Sequence, residues 1–145
     1  AHRLKKKYDW FVVVRNPYER IISEFYCKWG TQIQNKNNIT KEEFNKVLKK
    51  HILNRNSLNK HGQYGHYLEQ HKYIDNKYCI HVIKFENIQE EFNELMEKYS
   101  LNIKLNNHDN KGIKKFNIMS LSKEVITLIN NVYQKDFEMF GYTFL

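Results

Sequence analysis

The sequence predicts an α/β fold in which helices flank a parallel sheet. Two segments, Trp10–Val14 and Cys79–Phe85, are rich in apolar and β-branched residues and are predicted to be strands. A continuous apolar run such as Trp10–Val14 suits a strand that is covered on both faces, as strands in parallel sheets are. An amphipathic helical segment follows each strand, which is the pattern expected of an α/β fold.

The first predicted strand leads directly into the start of a helix. Asn16 is a favoured N-cap, Pro17 suits the first helical position, and Glu19 stands where it can close a capping box. Arg15 lies at the junction of strand and helix. Ligands of open α/β sheets bind at the carboxyl ends of strands, and helix N-termini favour anions. The sequence therefore predicts an anion site here, most simply a phosphate site.

The predicted helix has one polar stripe and one apolar face. At about 100° per residue, the stripe holds Asn16, Arg20, Ser23 and Cys27. The opposite face holds Tyr18, Ile21, Ile22, Phe25, Tyr26 and Trp29. Because the apolar face is expected to pack on the core, the Ser23 hydroxyl is expected to point away from the core and to bond a ligand. The alternative is that Arg15 is a surface arginine and Ser23 an ordinary helix serine.

The segment around this junction carries a family resemblance. Residues 14–26 read Val-Arg-Asn-Pro-Tyr-Glu-Arg-Ile-Ile-Ser-Glu-Phe-Tyr. They resemble the 3′-phosphate-binding motif of the sulfotransferases that use 3′-phosphoadenosine 5′-phosphosulfate (PAPS), and most of all the carbohydrate sulfotransferase branch, whose motif runs Arg-Asn/Asp-Pro-Tyr/Phe-x-Arg-x-x-Ser. In that family the first Arg and the Ser bind the 3′-phosphate of the nucleotide, and the resemblance places these roles on Arg15 and Ser23.

The resemblance implies both a fold and a reaction. The implied fold is the P-loop-NTPase-like sulfotransferase fold. The implied co-substrate is PAPS, and the implied acceptor is a hydroxyl group, expected to belong to a carbohydrate. The sulfuryl group would be transferred in line, and positioning and positive charge would do most of the catalysis, as in phosphoryl transfer.

Length and charge narrow the possible partners. The 145 residues suffice for one domain, and the net charge of +8 with a pI near 9.4 indicates an anionic partner. Only four of the 24 basic residues are arginines, so arginine contacts to bases are scarce and nucleic acid is disfavoured.

No apolar run approaches the ~20 residues of a membrane-spanning helix, and residues 1–7 do not resemble a signal peptide. The predicted location is cytoplasmic or undetermined.

A second helix is predicted from Thr40. Thr40 and Glu43 have the spacing of a capping box. The apolar residues of this helix share one face and predict a packing role: Phe44, Val47, Leu48 and Ile52. Residues 54–63, which include Arg55, are predicted to form a solvated loop, although loops of this kind can also contact an acceptor.

Three histidines, His61, His66 and His71, follow at intervals of five residues. Residues i and i+5 are about 500° apart on a helix, so these side chains would not share a face, and no metal site is predicted. The family has a His-x-x-Pro-Gln motif in this region, and the segment from His66 to Gln70 resembles it with Glu69 in place of proline. His66 is therefore a candidate contact to acceptor or nucleotide and a candidate catalytic base. A structural histidine is the alternative.

The second predicted strand is followed by a third helix. Asn87 is predicted to cap this helix, with Glu90 at its third position. The segment from Phe85 to Ile88, Phe-Glu-Asn-Ile, also resembles the Phe/Tyr-Glu-Asn-Leu segment that joins strand and helix in the family. A capping or structural role is expected for these residues.

The C-terminal third contains a basic loop and a final helical region. In the polar loop at residues 105–116, which resembles a loop of the family that approaches the nucleotide, Lys111, Gly112, Lys114 and Lys115 are expected to add charge and backbone N–H groups around the phosphates. A solvated basic loop is the alternative. Residues 132–142 resemble the C-terminal signature of the family and are expected to pack, with Gly141 ending the last helix.

One element of the family is not found. The family binds the 5′-phosphosulfate with an N-terminal strand–loop–helix, and no such segment precedes Tyr8. We therefore expect residues 1–145 to be a single sulfotransferase-like domain that is incomplete at its N-terminus. Two other functions stay open at this point: a basic module that binds nucleic acid, and a catalytically inactive domain that keeps the fold and binds a partner.

Overall fold

The fold is described from a computed structural model. The structure describes residues 9–28, 30–31, 33–56, 66–74, 79–106 and 113–145. The chain divides into two compact units, which are Ala1–Arg15 with Lys72–Gly112 and Asn16–His71 with Ile113–Leu145. Each unit is described by itself, and the single domain predicted for residues 1–145 stays a prediction.

Within these ranges the chain forms two strands and five α-helices. In chain order they are β1 (Trp10–Val14), α1 (Pro17–Tyr26), α2 (Lys41–Leu53), β2 (Cys79–Lys84), α3 (Ile88–Lys98), α4 (Lys123–Val132) and α5 (Gln134–Phe140). Both predicted strands are confirmed, except that β2 ends at Lys84 because Phe85 begins a 3₁₀ turn. The final predicted helical region is divided into α4 and α5 at Tyr133. None of the helices in the described part of the chain combines the length and apolar character needed to cross a membrane.

The first unit contains the sheet. β1 and β2 pair in parallel, as predicted, with Val12 opposite Val82. The core of this unit consists of Ile83, Leu95 and Met96. The expectation that β1 is covered on both faces is wrong, since Trp10, Phe11 and Val13 each keep more than a third of their surface exposed. The helix that packs on this sheet is α3, and it contacts β2.

The second unit consists of helices around an aromatic core. α1, α2, α4 and α5 each bury the face that their apolar spacing predicts. The Phe44 ring stacks on Phe116 with centroids 4.3 Å apart, and it meets the Phe25 ring edge-on at 4.8 Å. Aromatic pairs in these geometries add to the stabilisation that burial of their surface provides. This core is the rigid base from which α1 presents its polar side.

Local capping explains where three helices begin or end. The Asn16 side chain accepts the Tyr18 N–H at 3.0 Å, which confirms the predicted start of α1. Both hydrogen bonds of the predicted capping box are present: the Thr40 side chain accepts the Glu43 N–H, and the Glu43 side chain accepts the Thr40 N–H. Gly141 has φ 67°, a left-handed conformation that glycine adopts without strain, and it ends α5 as predicted.

The start of α3 differs in detail from the prediction. Asn87 stands at the N-cap position, but its side chain makes no capping bond. Its amide donates instead to Glu91 at 3.3 Å, and the same carboxylate accepts the Lys84 N–H at 2.7 Å. Glu91 therefore ties the helix to the end of β2, and the prediction of an Asn87 cap is corrected in this respect.

Candidate functional site

Arg15 lies between the end of β1 and the N-cap of α1, as predicted. Its guanidinium carbon lies 4.5 Å from the centroid of the Phe85 ring, and both residues belong to the first unit. A cation–π contact at this distance attracts the guanidinium to the ring face and so restricts its orientation. The contact therefore holds the side chain that the motif assigns to a phosphate.

Ser23 lies on the polar side of α1. The buried residues of this helix are Pro17, Tyr18, Ile21, Ile22 and Phe25. Ser23 is only half-buried, and its hydroxyl makes no hydrogen bond within the described ranges of the chain. The predicted orientation away from the core is thus confirmed. Arg15 and Ser23 belong to different units, and their joint binding of a phosphate stays a prediction.

Arg20, the second arginine of the motif, binds the protein's own backbone. Its guanidinium donates to the Leu68 carbonyl oxygen at 2.7 Å and to the His66 carbonyl oxygen at 3.0 Å. Because guanidinium donors form a rigid fork, one arginine can hold two carbonyl groups of a turn. Sequence pattern placed Arg20 on the polar stripe without a role. Its role is to hold residues 66–68 against α1.

His66, the candidate base, lies beside Glu24 of α1. The His66 Nδ1 atom is 2.7 Å from Glu24 Oε2, and the two side chains are 26% and 22% exposed. When Nδ1 carries the proton, it donates to the carboxylate, and Nε2 keeps the lone pair that a base requires. A carboxylate in this position also stabilises the imidazolium that forms when the ring accepts a proton. Glu24 was not predicted, because no motif marks this helical position.

The following residues are held by the C-terminal helix. The wholly buried Asp136 carboxylate accepts the N–H groups of Gln70 at 2.7 Å and His71 at 2.9 Å, and it lies 2.7 Å from His71 Nδ1. The Tyr133 hydroxyl donates to the Tyr67 carbonyl oxygen at 2.7 Å. Burial raises the pKa of Tyr133, so this hydroxyl remains a donor at neutral pH. The predicted packing of the C-terminal signature is confirmed, but these hydrogen bonds were not predicted.

Glu69, which stands where the family has proline, is buried and paired. Glu69 Oε1 lies 3.2 Å from Arg55 Nη2, and the side chains are 8% and 19% exposed. A carboxylate this deeply buried stays charged only beside such a partner. The prediction that Arg55 belongs to a solvated loop is therefore wrong. Residues 57–63 of that predicted loop lie outside the described residues.

We call residues 66–71 the anchored segment. Side chains from α1, from α5 and from Arg55, which follows α2, bind its backbone or its side chains. A group that is held from several elements keeps its geometry when a substrate arrives, which is what catalysis by positioning requires. The anchored segment thus presents His66 in a defined orientation, with one side of the ring bonded to Glu24.

The same region also brings together three side chains that could hold a cation. Ligand atoms of Glu24, Cys27 and His66 all lie within 4.8 Å of one another, and each residue is half-buried. The histidine spacing predicted no metal site, and this set includes only one of those histidines. His71 binds Asp136 instead, and His61 lies outside the described residues.

The basic loop is described only in part. Lys111 and Gly112, which were predicted to approach the nucleotide, lie outside the described residues, and their roles stay predictions. Lys115 donates to the Ile39 carbonyl oxygen at 2.8 Å, and its ammonium lies 5.2 Å from the Phe116 ring centroid. Lys115 is therefore part of the structure of the second unit.

Comparison with known proteins gives one match. A family model described as "Sulfotransferase family" matches residues 1–143. Searches of curated proteins and of solved structures find no match. The match covers almost the whole chain and includes both compact units.

Proposed function

This chain belongs to the sulfotransferase family, and we propose that it transfers the sulfuryl group of PAPS to a carbohydrate hydroxyl, as the enzyme or as its nucleotide-binding part. Family membership supports sulfuryl transfer in general. The proposed donor and acceptor rest on the similarity of residues 14–26 to the carbohydrate branch. The finer fold assignment, a P-loop-NTPase-like arrangement, belongs to the same proposal.

The observation that carries the proposal is the junction of β1 and α1. Arg15 directly precedes the Asn16 N-cap in the chain, and Pro17 starts a ten-residue helix. The first turn of a helix has N–H groups without helical partners and the positive end of the helix dipole, so it favours a phosphate. A cationic side chain directly before such a turn adds a full charge and charge-assisted hydrogen bonds.

Ser23 is proposed as the second ligand of the 3′-phosphate. Its hydroxyl faces away from the core and is available for a phosphate oxygen. Lys111 and Gly112 are proposed to add charge and a backbone donor. All of these contacts are remote from the sulfur atom, so their binding energy would serve to orient the donor for transfer.

His66 is proposed as the general base. As the acceptor oxygen forms its bond to sulfur, the bond between sulfur and the bridging oxygen of PAPS breaks, and the acceptor proton moves to His66 Nε2. The products are a sulfate ester, 3′,5′-adenosine bisphosphate and a proton on the imidazole. Glu24 would stabilise that imidazolium through Nδ1, at the 2.7 Å separation described above.

Charge supports an acidic glycan as acceptor. The net charge of +8 attracts anionic chains over distances of about a Debye length, roughly 8–10 Å at physiological salt. We therefore propose an anionic carbohydrate with a free hydroxyl group as the substrate class.

Thermal denaturation with two nucleotides tests the donor site. We expect 3′,5′-adenosine bisphosphate to raise the melting temperature of the protein more than adenosine 5′-phosphate does, because only the first carries a 3′-phosphate. Arg15→Ala and Ser23→Ala should remove the difference between the two ligands. Lys98→Ala removes an exposed charge at the end of α3 and should leave the difference intact.

Transfer from labelled PAPS to a panel of glycans tests the reaction itself. Labelled product on an acidic glycan supports the proposed acceptor class. Equal stabilisation by the two nucleotides would contradict the 3′-phosphate site. Nucleotide binding without any transfer would restrict this chain to the nucleotide-binding part or to an inactive domain, and transfer to a hydroxyl of another class but to no glycan would contradict the carbohydrate acceptor. Salt-sensitive binding to oligonucleotides with no nucleotide preference would favour a nucleic-acid-binding module.

A further inference from the structure

Glu24, Cys27 and His66 offer three different donor atoms in one small volume. A carboxylate oxygen, a thiol sulfur and an imidazole nitrogen all lie within 4.8 Å of one another. Cys27 is a free thiol and, like the other two residues, is half-buried. This combination of sulfur, nitrogen and oxygen ligands is typical of sites for Zn²⁺ and related divalent cations.

The distances suit a tetrahedral cation after a small adjustment. With metal–ligand distances of about 2.0–2.3 Å, neighbouring ligand atoms in a tetrahedral zinc site lie roughly 3.3–3.8 Å apart. The upper limit of 4.8 Å requires the most distant pair to close by about 1.5 Å at most, a change within the range of side-chain rotation. The distance of 2.7 Å between Glu24 and His66 would have to lengthen, because the cation would replace the proton that these two groups share.

The C-terminal end of α1, which carries Glu24 and Cys27, is held by close packing and a hydrogen bond. Glu24 and Cys27 lie three residues apart at the end of α1, where the negative end of the helix dipole favours a cation. Gly30 packs so closely there that a Cβ atom on it would lie 1.8 Å from the Glu24 carbonyl oxygen. Thr31 donates from its hydroxyl to the Phe25 carbonyl oxygen at 3.1 Å. The ligands of the helix therefore cannot move far from His66 through fraying of α1.

Tyr67, the residue that follows His66 in the chain, has a buried polar atom that lacks a hydrogen bond in the described part of the chain. The Tyr67 hydroxyl is buried and has no hydrogen-bond partner within the described residues, and the whole residue is 2% exposed. A buried hydroxyl without a partner costs stability, and a ligand carried by the cation would supply one.

One cation already lies at the end of α1. Lys36 Nζ donates to the Cys27 carbonyl oxygen at 2.6 Å, so its partner is the backbone of Cys27 and not the thiol. The charge of this ammonium weakens the binding of a second cation through repulsion, so the three ligands must outweigh that cost.

We propose that Glu24, Cys27 and His66 form a binding site for Zn²⁺ or another thiophilic divalent cation, with water as the fourth ligand. Three protein ligands and one open position are typical of accessible zinc sites, whereas closed structural sites use four. The consequence for catalysis rests on the proposed function. A cation on His66 prevents the imidazole from accepting a proton, so occupancy of the site inhibits transfer.

Co²⁺ titration of the chelator-treated full chain tests the site directly. We expect one Co²⁺ to bind, with a near-ultraviolet thiolate-to-metal band and the intense visible bands of a tetrahedral centre, and we expect Zn²⁺ to displace it. Cys27→Ser should abolish the thiolate band, and His66→Gln and Glu24→Gln should each weaken binding by at least about tenfold. Cys79→Ser, which removes the other thiol of the chain, is the matched control and should bind as the unaltered protein does.

Three results would overturn the proposal: no thiolate band at millimolar Co²⁺, an unchanged band in Cys27→Ser, or loss of the band in Cys79→Ser. Melting curves of each variant without metal show whether it is folded. If a variant is not folded, alkylation of the unaltered chain takes its place as the test. Zn²⁺ should then slow the reaction of Cys27 with iodoacetamide at least about tenfold. These readouts do not depend on catalysis, so they separate failure of the metal site from failure of the proposed sulfotransferase activity.

Discussion

The carboxylate of Asp136 binds His71 twice, through the backbone N–H at 2.9 Å and through the ring Nδ1 at 2.7 Å. The same carboxylate, which is wholly buried, also accepts the Gln70 N–H at 2.7 Å. One acidic side chain of α5 thus fixes the end of the anchored segment whose beginning contains His66. The position of the candidate base depends on a residue in the last helix of the chain.

Asp136→Ala should therefore destabilise the protein strongly. The substitution leaves two backbone N–H groups and one imidazole nitrogen without their acceptor, and each buried group of this kind costs about 1–3 kcal/mol. We expect a loss of about 3 kcal/mol or more in the free energy of unfolding, measured by denaturant titration. Glu138→Gln, on the same helix but exposed, should change it by less than about 0.5 kcal/mol. Similar losses in the two variants would show that the Asp136 contacts carry little stability.

Arg20→Lys should loosen the anchored segment although it keeps the charge. Lysine lacks the planar fork that reaches the carbonyl groups of His66 and Leu68 together. We expect a loss of about 1.5–3 kcal/mol and faster amide hydrogen exchange in residues 66–71. Lys49→Ala, which removes the exposed ion pair with Glu124, should cost less than about 1 kcal/mol. Unchanged exchange in Arg20→Lys would count against the anchoring role.

Glu24→Gln should lower kcat for sulfuryl transfer and leave KM for PAPS nearly unchanged. The amide can still contact His66 Nδ1, but it does not stabilise the imidazolium as a carboxylate does. His66→Gln removes the base and should lower kcat by about 10²–10⁴-fold. Arg15→Ala should act in the opposite way and mainly raise KM for PAPS. A His66→Gln variant with full activity would exclude His66 as the base.

Gly30→Ala should be more harmful than Gly141→Ala. A Cβ atom at Gly30 would lie 1.8 Å from the Glu24 carbonyl oxygen, and backbone cannot yield as a flexible side chain can. Gly141 has a φ of 67°, and alanine in this left-handed conformation should cost only about 1 kcal/mol. Melting temperatures of the two variants give the comparison, and an equal decrease would contradict the close packing at the end of α1.

His51 should make the protein less stable in mild acid. Burial lowers its pKa from 6.5, Lys50 lowers it further, and the ring stacks on Tyr67 with its Nδ1 atom buried. Because the unfolded chain binds the proton more readily, the contribution of neutral His51 is complete above about pH 6.5 and is lost as the pH falls towards the lowered pKa. His51→Gln should therefore lose less stability than the unaltered protein between pH 7.5 and pH 5.5. Equal losses in denaturant titrations at the two pH values would contradict this assignment.

The local features of the fold were predicted from sequence because they depend on neighbours in the chain. The Asn16 cap, the capping box at Thr40 and the glycine end of α5 each involve residues within one helical turn. Apolar periodicity likewise identified the buried faces of α1 and α2. The orientation of Ser23 away from the core follows from the same periodicity.

The links that build the candidate site are of a different kind. Glu24 and His66 are 42 residues apart in the chain, and His71 and Asp136 are 65 residues apart. A polar residue on an amphipathic helix has the same local pattern whether it faces solvent or binds another segment, so periodicity cannot identify its partner. Glu69, which stands where the family has proline, likewise pairs with a residue 14 positions away, Arg55.

The strands, the helical regions, the caps that begin α1 and α2 and end α5, and the family were thus predictable from sequence. Tertiary structure alone decided which polar side chains meet, because hydrogen bonds between distant segments form only after the aromatic core has placed α1 and α5. Tertiary structure gives Arg20 its role, which is to donate hydrogen bonds to the carbonyl oxygens of His66 and Leu68. It also places His66 close to Glu24 and Cys27. It also corrected the expected burial of β1, since coverage of a strand depends on what packs on it and not on its own apolar residues.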